Sequence, residues 1–164
     1  PSTDLKTHIF LYKSFKNINS ICHTHSKYAT IFCQANKSIK CLGTTHADEF
    51  SGDIPITRKL KKTEIMSDYV GNTGKVIVEL FKLKKLDPSK IKAVLVSDHA
   101  PFVWGSDYKE SIKYANILEI ISEMAFKTLM LNKSSNISID LRKYHYNRKY
   151  GENSHYGQKL IKKY

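Results

Sequence analysis

Four residues of this sequence have the types and the spacing of a metal site. His23 and His25 lie two positions apart in a segment that alternates like a β-strand, so both side chains leave from one face and can converge on one ion. His99 ends an apolar run just before a proline, and Asp4 is a carboxylate beside a predicted helix start. Imidazole and carboxylate ligands without a thiolate suit zinc or another divalent first-row ion. We therefore predict a site of three imidazoles and one carboxylate.

The same residues also have an ordinary structural explanation. A pair of histidines separated by one residue is more often a pair of surface or core side chains than a metal site, and spacing alone leaves both readings open. His8 and His155 have no partner pattern and are predicted to be solvated or hydrogen-bonded. Cys22, Cys33 and Cys41 are odd in number and lack CxxC spacing, which argues against a thiolate zinc site and against a disulfide framework. We expect these thiols to be reduced and partly buried.

The elements that position these residues can be predicted from apolar periodicity. Helical spacing predicts helices over residues 5–18, 28–35, 76–86, 108–131 and 139–149. Strand patterns fall at 20–25, 39–42 and 93–96, and the last is a continuous apolar run typical of a strand covered on both faces. Residues 43–55 are predicted to be a loop, with a short extended run at 54–57. The alternation of helices and short strands indicates one α/β layered domain over residues 1–164.

Length and composition exclude several classes of protein. A chain of 164 residues that is 41% hydrophobic fits one compact domain with a core. The sequence contains no run of eighteen apolar residues and no pattern of a signal peptide, so we predict neither a membrane partner nor secretion. A cytosolic location is expected.

The formal charge of +12 raises nucleic acid as a partner. Almost all of the cations are lysines that are spread over predicted helix surfaces and loops, and few arginines offer the bidentate fork that reads bases. We therefore expect a solvated basic face and no nucleic-acid partner. Attraction of an anionic ligand is the one benefit that this charge predicts.

Short sequence words give a more specific indication. They are PSTDLKTH at 1–8, ICHTHS at 21–26, GTTHAD at 43–48, GDIP at 52–55, PFVWG at 101–105, KYHYNRK at 143–149 and YGQ at 156–158. In order and at matching intervals, these words closely resemble the L-ribulose-5-phosphate 4-epimerases of the class II aldolase and epimerase family. The resemblance covers essentially the whole chain. It also implies that the chain is the larger, C-terminal part of the family's domain and lacks an N-terminal segment that supplies a phosphate loop.

The resemblance implies a fold, a metal and a set of residue roles. The fold would be a layered domain whose central, mainly antiparallel sheet is flanked by helices. One Zn²⁺ per subunit would be held by Asp4, His23, His25 and His99. The substrate phosphate would contact Ser2 and Thr3, the acid/base pair would be Asp48 and Tyr156, and less direct substrate contacts would come from His145 and Arg148. Family members are homotetramers of fourfold cyclic symmetry with active sites between subunits, so Tyr156 would act on a neighbour's zinc.

The implied reaction interconverts L-ribulose 5-phosphate and D-xylulose 5-phosphate in pentose catabolism. C4 bears no acidic proton, so inversion requires cleavage and re-formation of the C3–C4 bond. Three alternatives stay open: a related sugar-phosphate lyase such as fuculose-1-phosphate aldolase, an inactive truncated fragment that only oligomerises, and a basic nucleic-acid module. Among the residues, Asp48 could instead cap the segment after it, and Tyr156 could be one more aromatic of a loose C-terminal tail. Phe102 and Trp104 are expected in the core or the pocket wall.

Overall fold

Six helices and three strands alternate in residues 2–152 and 154, the part of the chain that the computed structural model describes. They are α1 (Leu5–Ser14), β1 (Ser20–His23), α2 (Lys27–Gln34), α3 (Thr44–Ala47), α4 (Lys62–Leu83), β2 (Ala93–Leu95), β3 (Pro101–Gly105), α5 (Tyr108–Leu131) and α6 (Ile139–Tyr150). The predicted α/β class is confirmed. Of the helices in this part of the chain, none combines the length and the apolar character that a membrane crossing requires.

The three strands form one antiparallel sheet in the order β1-β3-β2. The register pairs His23 with Phe102 and Ala93 with Val103, so β3 is the central strand. All five residues of β3 are buried, because helices cover both faces of the sheet. The sheet therefore holds the end of β1 and the start of β3 side by side, which is where the candidate site lies.

Two hydrophobic clusters pack the sheet against the helices, one on each face of the sheet. On one face, Leu95 and Val103 pack with apolar residues of α2 and α5. On the other face, Phe102 and Trp104 pack with apolar residues of α1 and α4. This confirms that Phe102 and Trp104 belong to the core, where their exposed fractions are 0% and 1%. The domain is thus a sheet between two helical layers.

The chain departs from the predicted elements at several places: β1 ends at His23 rather than at residue 25, and β3 is a strand that the apolar patterns do not predict. Residues 39–42 do not form a strand, since only an isolated bridge pairs Ile39 with Ile54. Residues 43–55, predicted as loop, include the single-turn helix α3. Helix α4 begins at Lys62, whereas apolar periodicity predicts a start at residue 76. The prediction misses the first half of this helix because that half is largely exposed and shows no apolar periodicity.

Helices α1 and α4 pack closely, and this fixes the start of α1 against the rest of the domain. A Cβ at Gly74 would lie 2.9 Å from the Cβ of Phe10, so only glycine allows the two backbones to approach this far. The Thr7 hydroxyl donates to the carbonyl of Val70 at 2.6 Å, and Lys6 Nζ lies 3.1 Å from an oxygen of Asp68. The predicted ligand Asp4, directly before α1, is positioned by these contacts.

Candidate active site

Three histidines from two neighbouring strand ends come together. His23 is the last residue of β1, His25 follows it by two positions, and His99 lies in the turn between β2 and β3. One ligand nitrogen from each lies within 4.8 Å of those of the other two. We refer to His23, His25 and His99 as the histidine cluster. Its geometry is compact enough for a single ion, as the spacing predicts.

The hydrogen bonding of His23 leaves one nitrogen available as a ligand. Nδ1 of His23 lies 2.9 Å from the carbonyl oxygen of Pro101, and since a carbonyl only accepts, Nδ1 carries the proton. Nε2 of His23 and Nε2 of His99 are buried without a hydrogen-bond partner among residues 2–152 and 154. Burial is the main cause that lowers the pKa of both rings, which favours the neutral form that a metal requires. These two unpartnered nitrogens fit a metal ion.

Asp4 lies beside this cluster, and its carboxylate accepts a hydrogen bond only from the neighbouring Thr3 among the described residues. Its Oδ2 is 3.9 Å from Nε2 of His23. Although Asp4 is the N-cap residue of α1, its side chain makes no capping hydrogen bond, and the Ser2 hydroxyl accepts the Asp4 N–H at 3.1 Å instead. The Thr3 hydroxyl lies 3.3 Å from Oδ2 of Asp4 as a donor. The structure therefore groups the predicted fourth ligand with the histidines, and its role as a ligand stays a prediction.

The turn that carries His99 is braced by its neighbours. The N–H of His99 donates to the carbonyl of Val96 at 3.1 Å, and Asp98 adopts a positive φ of 59° at the third position of this turn. Asn36 and Lys59 both bind the Asp98 carboxylate, at 2.8 Å and 3.0 Å. This uncommon backbone conformation is thus held from two sides, which fixes His99.

A carboxylate that is distant in sequence binds the backbone just after His25 and fixes its position. The two oxygens of Glu119, on α5, accept the N–H groups of Tyr28 and Ala29 at 2.9 Å and 3.1 Å. These are orphan donors of the first turn of α2, and a negative charge is favourable there. No sequence pattern points to Glu119, because its partners are about ninety residues away and its own helix position is not distinctive.

Aromatic rings enclose the histidine cluster. Phe102 stacks on His23 with ring centroids 4.1 Å apart, and Tyr69 of α4 meets His99 edge-on at 5.9 Å. Burial is the main cause that raises the pKa of the Tyr69 phenol, and the nearby Asp4 adds to the effect. Tyr69 therefore borders the cluster as a neutral phenol, although no sequence pattern distinguishes it among the ten tyrosines.

Cysteine plays no part in this site. All three cysteines are free thiols; Cys22 is half-buried, and Cys33 and Cys41 are buried, which confirms the expectation from their spacing. Burial raises the pKa of Cys33 to about 12 and that of Cys41 to about 11. Both are therefore protonated at neutral pH and unsuited to bind a metal as thiolates.

A second group of predicted residues gathers around Asp48. Nδ1 of His145 lies 2.9 Å from Oδ1 of Asp48, and the Arg148 guanidinium donates to both carboxylate oxygens at 3.3 Å and 3.4 Å. We refer to Asp48, His145 and Arg148 as the Asp48 cluster. Asp48 follows α3, and His145 and Arg148 lie on α6. The carboxylate of Asp48 is thus engaged by α6 and does not cap the segment after it.

Helix α6 is attached to α3 by charged and polar side chains. Glu49 forms ion pairs with Lys149 and with Lys113, the latter at 3.5 Å, and accepts a hydrogen bond from the Tyr150 hydroxyl at 3.2 Å. Within this fully described helix no residue is buried. Polar contacts therefore hold α6 in place.

The two clusters are separate within the described chain. No hydrogen bond or ion pair among residues 2–152 and 154 joins Asp48 to the histidine cluster. Ser2 and Thr3 are exposed beside Asp4, at the start of α1. Tyr156, the predicted partner of Asp48 in proton transfer, and His155 lie outside the described residues. The roles of all these residues stay predictions.

Comparison with known proteins identifies the family. The family model described as the class II aldolase and adducin N-terminal domain matches residues 1–126. The chain belongs to this class II aldolase family. A probable L-ribulose-5-phosphate 4-epimerase UlaF of Mycoplasma pneumoniae is 46% identical over 162 residues, which cover 96% of this chain and 66% of that relative. An L-ribulose-5-phosphate 4-epimerase UlaF of Salmonella paratyphi C is 41% identical over 160 residues, covering 97% and 69%.

Solved structures confirm the class II aldolase fold. An L-fuculose 1-phosphate aldolase superposes with a TM-score of 0.70 at 14% identity, covering 90% of this chain and 63% of that one. A sugar-phosphate aldolase from Thermotoga maritima gives a TM-score of 0.58 at 21% identity, covering 80% and 56%. At these identities the likeness concerns the fold alone. The chain spans about two thirds of the length of the curated relatives it matches.

Proposed function

We propose that this chain is the metal-binding part of an L-ribulose-5-phosphate 4-epimerase, which interconverts L-ribulose 5-phosphate and D-xylulose 5-phosphate. The observation that carries the proposal is the histidine cluster, with two buried Nε2 atoms that lack a partner in the described chain and the Asp4 carboxylate beside them. Relatives that are 41–46% identical over nearly the whole chain bear the epimerase name. Together these observations favour a metal-dependent reaction on a sugar phosphate.

The metal in this proposal is one zinc ion per chain, bound by Asp4 and the histidine cluster. Three imidazoles and one carboxylate are a donor set that zinc accepts, and the buried thiols leave cysteine out of it. When bound, the ion would supply Lewis-acid stabilisation of the negative charge that develops on the substrate. The Nδ1–H bond from His23 to Pro101 would keep the opposite nitrogen directed at the ion.

The chemistry of the substrate explains why charge must be stabilised. Since C4 carries no acidic proton, the C3–C4 bond has to break to invert this centre. A base removes the proton of the C4 hydroxyl, the C4–O bond becomes a carbonyl, and the electron pair of the C3–C4 bond moves towards the C2 carbonyl oxygen. Rotation of the aldehyde fragment and re-addition to its other face give the epimer. One proton-transfer group is therefore required on each side of the aldehyde.

Asp48 is our candidate for one of these groups, and Tyr156 for the other. His145 and Arg148 would hold the Asp48 carboxylate in a fixed orientation through hydrogen bonds to its two oxygens. A carboxylate and a phenol can each take or give a proton, depending on the direction of the reaction. The assignment of Tyr156 depends on the resemblance to the epimerases.

Ser2 and Thr3 are the proposed contacts of the substrate phosphate. Both are exposed at the N-terminal end of α1, where unpaired N–H groups and the helix dipole favour an anion. The Ser2 hydroxyl already accepts the Asp4 N–H, so a phosphate bound there would lie beside the proposed metal ligand. This proximity suits a substrate with a phosphate at one end.

We further propose an active site shared between copies of the chain in a homotetramer. In the described residues the Asp48 cluster and the histidine cluster are not bonded to each other, yet both are required at one substrate. A neighbouring copy that presents its Asp48 and Tyr156 to the metal would satisfy this requirement. The tetramer and the expected cytosolic location stay predictions.

An assay of product and metal tests the proposed function. The protein is incubated with L-ribulose 5-phosphate, and D-xylulose 5-phosphate and bound metal are both measured. We expect Asp48→Asn to keep its metal and to lose about 10²–10⁴-fold in turnover. The matched control is Asp140→Asn, the same change at an exposed position of α6, which should leave turnover unchanged. Release of free glycolaldehyde phosphate without epimer would favour the aldolase alternative, and unchanged turnover in Asp48→Asn would refute the role of Asp48.

A further inference from the structure

His8 lies next to the proposed metal centre, although no sequence pattern gave it a role. It follows Asp4 by four residues at the start of α1, so both side chains lie on the same face of this helix. Its Nε2 atom is buried and has no hydrogen-bond partner in residues 2–152 and 154. A buried polar nitrogen without a partner is costly, which calls for an explanation at this position.

The aromatic contacts of His8 connect it to a candidate ligand. Its ring meets Phe102 edge-on at 5.8 Å, and Phe102 stacks on His23 with centroids 4.1 Å apart. Burial, followed by His23, lowers the pKa of His8, whereas Asp4 raises it. His8 is therefore held in the same packed group as His23 and within the field of the Asp4 carboxylate.

The carboxylate of Asp4 has one oxygen for which no partner is found. Its Oδ2 is the atom nearest to Nε2 of His23, at 3.9 Å, and Thr3 donates to this same oxygen. Its Oδ1 accepts no hydrogen bond from the described residues. A carboxylate that binds a metal through one oxygen is normally hydrogen-bonded through the other. The described chain thus has an acceptor oxygen and a buried ring nitrogen on one helix face, one turn apart, and neither has a hydrogen-bond partner there.

We propose that His8 is a positioning residue for the metal centre: the described structure does not contain a bond between them, but on metal binding the Nε2–H of His8 would donate a hydrogen bond to Oδ1 of Asp4 and so orient Oδ2 towards the ion. His8 is not itself a ligand in this proposal; the nitrogens that lie within 4.8 Å of one another come from His23, His25 and His99. The inference rests on the metal centre of the proposed function and adds a residue to it. Neutral imidazole with its proton on Nε2 provides the single donor that is needed.

Two substitutions separate the donor from the packing. His8→Gln keeps a side-chain N–H donor near the position of Nε2, whereas His8→Phe keeps a ring against Phe102 and removes the donor. Metal affinity is measured by competition with a chromophoric chelator, and the Co²⁺-substituted protein gives a visible absorption spectrum. We expect His8→Phe to weaken the metal about 10–100-fold and to shift this spectrum. We expect His8→Gln to stay within about threefold of the parent chain.

A double substitution tests whether His8 acts through Asp4. If it does, His8→Phe has almost no further effect on metal affinity once Asp4→Ala has removed the carboxylate. Equal losses in His8→Gln and His8→Phe, or an undiminished loss in the Asp4→Ala background, would overturn the inference. X-ray absorption that shows one imidazole fewer in His8→Phe would also overturn it, because His8 would then be a ligand.

The unsubstituted protein distinguishes failure of this inference from failure of the proposed function. If the parent chain binds no metal, the metal centre itself is wrong and the inference falls with it. If the parent chain binds metal and His8→Phe binds it equally well, only the inference is wrong. Thermal unfolding of the metal-free variants checks that each one is folded.

Discussion

The histidine cluster and the Asp48 cluster are built in opposite ways. His23 ends β1 and His99 lies in the turn before the central strand β3, whose residues are all buried, and Phe102 of β3 stacks on His23. The Asp48 carboxylate instead depends on α6, a helix without a buried residue that is attached by charged side chains. A metal requires ligands fixed to within fractions of an ångström, which close packing supplies. A carboxylate held by a polar, separately attached helix can shift without disturbing the histidine cluster.

Removal of a core ring should affect the first region most. Phe102→Ala deletes a side chain with 0% exposure that stacks on His23 and packs in the hydrophobic cluster with α1 and α4. We expect a loss of about 3–5 kcal/mol in the free energy of unfolding, together with weaker metal binding. Leu141→Ala on α6, where the side chain is 44% exposed, should cost less than about 1 kcal/mol and leave metal binding unchanged. Urea unfolding curves of both variants measure the difference, and similar losses would contradict it.

Acid should destabilise the protein through His46, which lies on α3 next to the Asp48 cluster. Its Nε2 is 2.9 Å from the carbonyl of Gly52, and burial lowers its pKa from 6.5 to about 4. Between these two values the unfolded chain binds a proton that the folded chain does not, so stability is present above pH 6.5 and is lost as the pH falls towards 4. This single group accounts for about 3 kcal/mol of the loss.

His46→Gln tests that pH dependence, because glutamine keeps a donor for the carbonyl of Gly52 and cannot titrate. Stability is measured at a series of pH values in the presence of a chelator, so that bound metal does not contribute. We expect the parent chain and the variant to differ by an amount that changes across pH 4–6.5, with the steeper decline in the parent chain. A difference that stays constant with pH would show that His46 is not the titrating group.

Neutralising Glu49 should loosen α6 and spare the histidine cluster. Its carboxylate binds Lys149, Lys113 and the hydroxyl of Tyr150, so Glu49→Gln weakens three contacts together. We expect the opening of α6 to become easier by about 1–2 kcal/mol, with metal affinity unchanged. Hydrogen exchange measures this opening helix by helix. Glu123→Gln removes a carboxylate from an exposed pair with Lys127 on α5, and as the control it should leave α6 unaffected.

Salt provides the same comparison without a substitution. The screening length falls from about 10 Å to about 3 Å between 0.1 M and 1 M salt, which weakens exposed ion pairs and leaves buried apolar contacts intact. Exchange in α6 should therefore rise with salt before exchange in the sheet does. Parallel changes in both regions would contradict the contrast between them.

The sequence predicted those parts of the molecule that local patterns determine. Helix α5 agrees with its predicted range of 108–131 because its apolar face is periodic and Asp107 caps its start, accepting the N–H of Glu110 at 2.8 Å. Strand spacing predicts that His23 and His25 converge, and they do, although β1 ends at His23 and His25 lies beyond it. Strand β3 has no alternating pattern, since both of its faces are buried. The sequence indicates this segment only through the PFVWG motif at 101–105.

Other features depend on contacts between distant residues and leave no local pattern. The first half of α4 is stabilised by Arg58, which binds both Glu64 and Glu79, and it is interrupted by non-helical angles at Asp68. The contact of Asp48 with α6 joins residues about one hundred positions apart. Periodicity and spacing cannot reveal such pairs. Resemblance to a known family was the only indication that His145 and Arg148 belong near Asp48.

The metal content of the protein is the most direct test of this account. The chain is dialysed against zinc, freed of excess metal, and analysed by inductively coupled plasma mass spectrometry alongside His99→Ala, which removes one proposed ligand from the histidine cluster. We predict about one zinc per parent chain and a large loss of zinc in the variant. A parent chain that stays metal-free, or a variant that retains its zinc, would contradict the claim that these histidines bind a divalent ion.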